Sequence, residues 1–504
     1  MEPFLLGLQL VFNIETIVVV FAAAIFGVFV GAVPGLTATM AVALLVPITF
    51  YMDPTPAIAA IVTTSAMAIF AGDIPATYLN IPGTPSSAAY VNDSHLLAHK
   101  GRARETLGMN LICSVFGGLF GTLVLVFVSP SLAEVALQFS SFEYFWLALL
   151  GLSCSIFISI GSRVKAFLSL MIGLLLSTVG LDMMSGAPRF TFGIPDLMGG
   201  INFIPVMIGM FALNELMLFY GSRNEGRELP SLSKDSVFKQ APQHIKAYWP
   251  NMIRGSSIGT LIGALPGAGA DIAAWISYAV GKGRSKQKQA YGTGHIEGIV
   301  DASSANNSGI SGAWVPALVF GIPGDSITAI VIGVLYMKGM NPGPTIFMDG
   351  TGLIYALFIV FFLANLIMLP IGYAAIKSAK VFILTPRKIL MPIILCFCIV
   401  GAFSINNSLT DVWIMLLIGF VASILARCDF PMAPAILGLV LGTTLENSFM
   451  SSMLKSNGDL LSFFSRPISA GLGALVILLW LSPLLVMAYK KLKNNRHNKA
   501  PRIS

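Results

Sequence analysis

The sequence predicts an all-α polytopic membrane protein, with two inverted-topology repeats, discontinuous or re-entrant helices and about 10–12 spans. Three observations lead to this prediction. Of the 504 residues, 56% are hydrophobic and only 11% are charged, whereas soluble proteins carry about a quarter charged residues. The apolar residues form long continuous runs. A proline-glycine break also recurs at matching places in two halves of the chain.

The apolar runs are long enough for membrane helices and too continuous for the strands of a membrane barrel. A helix needs about 20 apolar residues to cross a bilayer, whereas barrel strands alternate apolar and polar residues over about ten. The runs lie at 17–33, 107–128, 144–160, 201–220, 352–376, 389–403, 411–426 and 468–489. Shorter apolar pieces beside the breaks add to the expected number of spans.

Four breaks interrupt this apolar sequence, two in each half. Segments 31–41 and 263–273 are identical at six of their eleven positions, and each precedes a second break. The breaks are Pro34-Gly35, Pro82-Gly83, Pro266-Gly267 and Pro323-Gly324. A break frees backbone groups at membrane depth, where they are tolerated only inside protein or along a wet cavity. Paired breaks in two halves therefore predict the solute site of a secondary transporter.

Basic residues predict how the halves are oriented. They lie at 100–104, after the second break of the first half, and at 282–288, between the breaks of the second half. If basic loops are cytoplasmic, corresponding loops face opposite sides and the halves are inverted repeats. Two parallel repeats are the alternative, and they would require basic loops to be translocated. The five cysteines have no metal or redox motif.

Charge and composition also divide the chain. We expect a first transmembrane repeat at 1–221 and a polar cytoplasmic linker at 222–251. A second repeat with C-terminal helices follows at 252–489, and a basic tail at 490–504 predicts a cytoplasmic C-terminus. No phosphate-binding loop motif occurs, so energy is expected from an ion gradient or from another subunit.

The break regions carry groups that suit a carboxylate and a small cation. Half-helix N-termini attract carboxylates, and hydroxyls with unwound carbonyls suit Na⁺. The predicted substrate-binding residues are Gly35, Thr37, Thr39, Gly83, Thr84, Ser86, Gly267, Gly324 and Ser326, with Ser87 and Thr328 beside them. The glycines would let the backbone approach a ligand closely. The alternative for the breaks is simple kinking of packed helices, and for each hydroxyl a bond to its own helix.

Intramembrane acids and amides are candidates for ion coupling because a buried charge is costly. The predicted ion-coupling residues are Asp73, Asp271, Asn306, Asn307 and Asp325, and Glu297 and Asp301 are further candidates. For Asp271 and Asp325 helix capping is the alternative interpretation. His95, His99 and His295 lie near polar loops, and we interpret them as solvated. No cofactor is expected, and Na⁺ is the candidate coupling ion.

At these motifs the chain resembles the large membrane subunit of tripartite tricarboxylate transporters, the TctA family. The similarity covers nearly the whole chain and includes Gly31–Pro47, Leu79–Pro85, Asp93–Gly101, Gly180–Gly193, Gly263–Tyr278, Gly292–Gly298, Ala305–Asn307, Gly321–Gly324, Pro434–Gly442 and Ser465–Pro467. The resemblance implies a bacterial inner-membrane permease with two inverted repeats. It further implies a small four-span membrane subunit, a periplasmic solute-binding protein, and Na⁺- or H⁺-driven uptake of carboxylates such as citrate.

The sequence departs from the usual pattern of the family near the presumed site. Tyr-Gly-Gly-Ser is common where this chain has Phe70–Asp73, and a small polar residue is usual at Asp325. Asp301-Ala302-Ser303 stands where Ala-Pro-Glu is common, and Asp93–Leu96 where Asp-Gly-Tyr-Pro is usual. A solute other than a tricarboxylate is therefore an alternative.

Two other function classes remain at this stage. An ion channel could use the same broken helices, but it needs a continuous selective pore. An intramembrane enzyme would need a catalytic constellation, and neither H-E-x-x-H nor G-x-S-x-G occurs. The sequence therefore favours a permease that is not an enzyme.

Overall fold

The computed structural model describes residues 2–159, 161–182, 184–220, 236–349, 351–383 and 387–497, and these are predominantly helical. The first half contains α1 (Glu2–Val11), α2 (Ile14–Ala32), α3 (Ala38–Phe50), α4 (Pro54–Ala71), α5 (Asp73–Leu79), α6 (Val91–His99), α7 (Ala103–Ala136), α8 (Ser141–Ile158), α9 (Arg163–Ser177), α10 (Phe203–Met207) and α11 (Asn214–Tyr220). A π-helical segment, Ile208–Leu213, joins α10 to α11.

The second half contains α12 (Ala241–Gly263), α13 (Gly269–Arg284), α14 (Ile296–Phe320), α15 (Ser326–Met337), α16 (Ile346–Asp349), α17 (Thr351–Lys377), α18 (Ala379–Ile383), α19 (Arg387–Asn406), α20 (Leu409–Arg427), α21 (Met432–Lys455) and α22 (Pro467–His497). Short 3₁₀ helices lie at Ser87–Ala89, Pro195–Gly199, Lys288–Ala290 and Leu460–Phe464. Two strands, β1 (Gly180–Leu181) and β2 (Pro188–Arg189), pair antiparallel.

The predicted helical membrane architecture is confirmed. Within the described ranges, five helical segments are long and apolar enough to cross a membrane: α2, α4 with α5, α7, α17 and α20. Shorter apolar helices include α1, α3, α8, α15, α19 and the beginning of α22. The helices also stop and restart at the breaks that the sequence predicts, after residues 32, 79, 263 and 320.

Each half begins with a hairpin of two helices around its first break. Gly27 and Gly31 of α2 lie against the backbone of Thr64 and Ala68 in α4. Because these contacts advance together along both helices, α2 and α4 run parallel, and α3 is the returning helix that connects them in the chain. Small residues allow this close approach of helices in a membrane.

The second half repeats this arrangement. Gly259 and Gly263 of α12 lie against Ala305 and Gly309 of α14, again in parallel register. Helix α13 returns antiparallel to α14, because Ala270 lies beside Gly309 and Gly281 lies beside Asp301. In both halves, therefore, a re-entering pair of helices packs on the next long helix.

One buried carboxylate joins the halves at the linker end, the end of the bundle that holds loops 100–102 and 285–295. Asp93 accepts hydrogen bonds from the backbone N–H groups of Gly292, Gly294 and His295 at 2.7–3.0 Å. The Tyr278 hydroxyl donates to the same carboxylate at 2.7 Å. Asp93 has no exposed surface, so these bonds replace its contact with water.

A second joint lies at the sheet end, the opposite end of the bundle, which holds β1, β2 and loops 51–53 and 338–345. The Lys338 ammonium donates to the carbonyl oxygens of Phe50, at 2.8 Å, and Met52. At each end, the loop between the breaks of one half thus contacts the loop that follows the second break of the other half.

The boundaries near the linker differ in one respect from the sequence prediction. Helix α12 begins at Ala241 and so reaches into the segment 222–251 that the sequence predicts as linker. Its first turns carry polar residues such as His244 and Lys246, which give this stretch its loop-like composition. Residues 221–235, and residues 498–504 of the predicted basic tail, lie outside the described part of the chain.

We expect Asp93→Ala to lower the apparent Tm of the detergent-purified protein clearly. The substitution leaves three backbone N–H groups and one hydroxyl unpaired, and bonds to a charged group contribute about 1.5–3 kcal/mol each. The control is Asp182→Ala, an exposed acid bonded only within its own loop, to Met184 and Ser185. Equal Tm values for the two variants would show that Asp93 does not hold the halves together.

Candidate functional site

The first break of each half has the same backbone conformation. Gly35 has φ +85° and Gly267 has φ +83°, a left-handed region that glycine adopts without steric cost. A new helix starts two or three residues later, α3 after Thr37 and α13 at Gly269. The Pro-Gly pair therefore turns the chain sharply at the tip of each hairpin.

The second break of each half folds back against its own long helix. The Gly83 N–H donates to the Gly72 carbonyl oxygen at 3.2 Å, and a Cβ on Gly83 would lie 2.5 Å from the Gly72 Cα. A Cβ on Gly324 would lie 2.7 Å from the Ala313 Cα. Neither glycine has a positive φ. At both positions glycine is required by the close approach of two backbones.

The break segments border one cavity of about 260 Å³ between the two halves. Its lining residues are Thr37, Ala38, Thr39, Ile69, Thr84, Pro85, Phe211, Asn214, Glu215, Ala270, Asp271, Asp325, Ser326, Ile327, Met432 and Ala433. Of the predicted substrate-binding residues, Thr37, Thr39, Thr84 and Ser326 line this cavity. Gly35, Gly83, Ser86, Gly267 and Gly324 belong to the same break segments without lining it. The structure thus brings the breaks of both halves to one place.

Corresponding positions of the two break motifs line the cavity in pairs. Thr39 and Asp271 both stand five residues after the first proline, and Thr84 and Asp325 both follow the second Pro-Gly pair. The first half therefore contributes hydroxyls at the places where the second half contributes carboxylates. The cavity is pseudo-symmetric in position and asymmetric in charge.

The hydroxyl side of the cavity is ordered by local hydrogen bonds. Thr37 is the N-cap of α3 and accepts from the Met40 N–H at 3.2 Å. Thr84 and Ser86 place their hydroxyl oxygens 2.9 Å apart, and the Ser87 hydroxyl donates to the Thr84 carbonyl oxygen at 2.9 Å. Ser86 and Ser87 are fully buried. They hold the turn that presents Thr84 to the cavity.

The carboxyl side has a different local chemistry. Asp325 is the N-cap of α15 and accepts from the Thr328 N–H at 2.7 Å, so the capping interpretation is confirmed for this residue. Asp271 lies in the first turn of α13, close to Asp325 and within reach of Ser86. Among the described lining residues there is no Lys, Arg or His. Two carboxylates thus face the same cavity without a basic partner.

Sequence reasoning missed the wall formed by the π-helical segment and α11. Phe211, Asn214 and Glu215 line the cavity. Asn214 is only 5% exposed, and its Oδ1 atom has no hydrogen-bond partner. A π-helical segment often marks a functional site. The available signal was the Asn-Glu pair inside the apolar run 201–220, where polar residues are costly.

The remaining predicted ion-coupling residues lie behind the cavity. Asp73 is fully buried and accepts from the Tyr90 hydroxyl at 2.7 Å. Asn306 is also fully buried, and neither of its side-chain atoms completes a hydrogen bond. The Asn307 amide nitrogen lies 3.4 Å from the Met368 sulfur. Asp73 and Asn306, which both approach the Tyr90 hydroxyl, form a second polar region beside the break at Gly83.

The two further acid candidates are held in a polar network toward the linker end. Asp301 accepts from Arg254, from the Tyr291 hydroxyl at 2.9 Å and from the Asn251 amide at 3.2 Å. Glu297 accepts from the Ser285 hydroxyl at 2.7 Å. Both acids thus have structural partners. No group of three metal-ligating His, Cys, Asp or Glu side chains occurs among the described residues.

A larger cavity of about 490 Å³ lies at the sheet end, away from the breaks. It lies beside β1 and β2 and contains an ion pair between Arg189 and Glu446 at 2.6 Å. Its walls come from the sheet, α9, α15 and α21, and none of the four breaks contributes to it. The breaks therefore define the smaller cavity as the candidate solute site.

Comparison with known proteins identifies the family. Residues 17–437 match the family described as "Tripartite tricarboxylate transporter TctA family". The chain belongs to the TctA family. It is 33% identical over 467 residues to an Agrobacterium vitis protein described as "Uncharacterized 52.8 kDa protein in TAR-I ttuC' 3'region", covering 93% of each chain.

A second relative covers one part of this TctA-family chain. This relative is the Agrobacterium vitis protein described as "Uncharacterized protein in TAR-II ttuC' 3'region". This chain is 33% identical to it over 228 residues, which cover 45% of this chain and 94% of the relative. No solved structure matches. The chain is therefore a multi-pass membrane component of a tripartite tricarboxylate transporter family, and it is not an enzyme.

We expect Gly83→Val and Gly324→Val to abolish solute uptake while the chain still inserts into the membrane. A branched side chain would collide with the backbone of Gly72 or Ala313 and displace the loop that carries Thr84 or Asp325. The control is Gly471→Val, since a Cβ at Gly471 meets nothing within 4 Å. Uptake by reconstituted protein, compared at equal membrane content, is the measurement. Normal uptake in both break variants would separate these loops from transport.

Proposed function

We propose that this chain is the permease subunit of a binding-protein-dependent secondary transporter for organic carboxylates, tricarboxylates or related solutes. It uses a Na⁺ or H⁺ gradient and acts with a small four-span membrane subunit and a periplasmic solute-binding protein in the bacterial inner membrane. The observation that carries the proposal is the convergence of break segments from both halves on one cavity. Membership of the TctA family supports the same function.

The packing of the two halves supports inverted repeats. Helix α2 packs parallel to α4 as α12 packs parallel to α14, and the second break folds back in both halves. The loop between the breaks lies at the sheet end in the first half and at the linker end in the second half. The segment after the second break lies at the opposite end in each case. A two-fold relation within the membrane plane accounts for this exchange, because it places corresponding loops on opposite sides.

The hydroxyl side of the cavity suits a carboxylate group. The 13-residue helix α3 begins there and is capped by the neutral hydroxyl of Thr37. Its N-terminal partial positive charge is therefore not offset by an acid of its own. Thr39 and Thr84 add hydroxyl donors along the same wall. A solute carboxylate binds here with the helix dipole and hydroxyl groups as partners.

The carboxyl side requires a positive charge when an anionic solute is bound. Asp271 and Asp325 face the cavity without a basic side chain, and Glu215 adds a third acid. Bringing a carboxylate beside them in a low-dielectric site is unfavourable unless a cation accompanies it or the acids are neutral. Asn214 offers an unpaired oxygen beside them. A Na⁺ ion that enters with the solute fits this set of oxygen atoms.

The basic loops support the orientation of the chain. Lys100 and the segment 282–288 both lie at the linker end, where the Lys100 ammonium donates to the Thr293 carbonyl oxygen at 3.2 Å. We assign this end to the cytoplasm by the positive-inside rule. In this proposal the cavity, whose wall includes Glu215 of α11 and Met432 of α21, opens toward the cytoplasm. The C-terminus, which follows α22, lies on the same side in this proposal.

Charge neutralisation at the cavity is expected to change ion dependence more than docking of the binding protein. Asp325→Asn keeps the cap, because Asn and Asp cap helices equally well, while Asp271→Asn removes charge from α13. For both variants we expect half-maximal initial uptake to require at least about tenfold more external Na⁺, because each variant loses an ionic ligand of the cation. Asp182→Asn is the control. Unchanged dependence on both Na⁺ and pH would place the coupling ion elsewhere.

The chain alone is expected to transport little solute at micromolar concentration. Addition of the four-span subunit and the loaded binding protein should restore saturable uptake, because the second repeat and the sheet end carry no large capture domain among the described residues. Proteoliposome uptake with and without each partner is the measurement. Robust high-affinity uptake by the single chain would contradict partner dependence, and a non-saturable solute conductance would favour a channel.

A further inference from the structure

One incompletely paired carboxyl group among the described membrane helices is that of Asp73. It lies at the junction of α4 and α5, inside a span that is entirely buried. Its exposed fraction is 0%. The Oδ1 atom accepts one hydrogen bond from Tyr90, and the Oδ2 atom has no partner. A carboxylate with one hydrogen bond at membrane depth is costly, so the neutral acid is favoured.

The side chains around Asp73 supply no compensating positive charge. Tyr90 and the Cys113 thiol face it, and Asn306 lies on the far side of the Tyr90 hydroxyl. The other charged or titratable groups on neighbouring elements lie toward the linker end: Arg104 near Tyr78, His95 at Thr77, and Asp301 near Cys113. None of them forms an ion pair with Asp73.

Asp73 is mechanically connected to the loop that lines the solute cavity. Its neighbour Gly72 accepts the hydrogen bond from the Gly83 N–H. A Cβ on Gly72 would lie 3.0 Å from the Thr84 methyl carbon, so this loop lies directly against the start of α5. Thr84 lines the cavity. Gly72 and Thr84 therefore connect Asp73 to the cavity, and a change of charge at Asp73 can move the loop that lines it.

Beyond Asp73, further polar groups lie toward the surface at the linker end. Thr77 stands one helical turn further along α5, fully buried, with an unpartnered hydroxyl. Its carbonyl oxygen lies 3.0 Å from His95 Nδ1, and His95 Nε2 lies 3.0 Å from His99 Nε2. His99 is exposed. One imidazole nitrogen of such a pair donates to the other, so the pair can pass a proton to water.

We infer that Asp73 carries a proton that moves with the solute and leaves toward the linker end. This inference rests on the proposed transport function and adds the identity of the ion at this position. The Asp73 carboxylate takes a proton from water on the uptake side, which forms its O–H bond. That bond breaks when the proton is released to water at the linker end. No other reactant is required.

The test uses proteoliposomes that contain the complete transport complex and a carboxylate that the wild type transports. Two activities are measured: counterflow of labelled solute without an ion gradient, and accumulation driven by a pH gradient at zero membrane potential. A gradient of about one pH unit supports about tenfold accumulation by a one-proton symporter. We expect Asp73→Asn to keep counterflow within about threefold of wild type and to lose this accumulation, because the amide cannot exchange a proton.

The controls separate the possible failures. Asp182→Asn should accumulate solute as the wild type does. Tyr90→Phe removes only the hydroxyl that bonds Asp73, and we expect it to move the pH of half-maximal accumulation upward, because the charged form loses its one partner. Absence of this shift would overturn the inference even if Asp73→Asn fails to fold. Wild-type accumulation by Asp73→Asn would also overturn the inference. So would a loss of Na⁺-driven accumulation in Asp73→Asn that is the same at every pH. Absence of wild-type counterflow would instead contradict the proposed function.

Discussion

The structure depends on how the backbone is satisfied where membrane helices are interrupted. A broken helix exposes N–H and C=O groups in a place where water cannot bond them. This chain meets that constraint by folding each second break against backbone that is already in place. The Gly83 N–H bonds to Gly72, and the Gly267 N–H bonds to the Gly324 carbonyl oxygen at 2.8 Å. These contacts fix the break segments and thereby create the cavity between them.

The same constraint explains the distribution of small residues. The hairpins can pack on α4 and α14 only because glycine, alanine and serine line the contact faces. Close packing then leaves the few polar groups of the break regions either in the cavity or behind it. Those in the cavity are hydroxyls from the first half, and two carboxylates and the Ser326 hydroxyl from the second. Those behind it, Asp73 and Asn306, are fully buried in this structure.

Much of this organisation can be predicted from the sequence because it depends on residues that are close together in the chain. Pro-Gly pairs give the position of the breaks, and Thr37 and Asp325 precede their helices as capping residues do. The partner of Asp73 could not be predicted in this way, since Tyr90 reaches it only after the chain folds back at Gly83. The wall formed by Asn214 and the π-helical segment depends on packing between distant helices. The roles of Asp301 and Glu297 likewise follow from their partners Arg254 and Ser285, which no spacing in the sequence connects to them.

The exchanged loop contacts also constrain how the molecule can move. Asp93 ties α6 to loop 292–295, and Lys338 ties α15 to loop 50–52, so neither set of hairpins can rotate without carrying the other. The opposite wall of the cavity, from Phe211 to Glu215 and at Met432, belongs to helices outside this locked unit. If the proposed transporter works by alternating access, these contacts favour a movement in which the locked unit slides or tilts as a single body against that wall. The solute would then travel with its break segments instead of passing between two independently swinging halves.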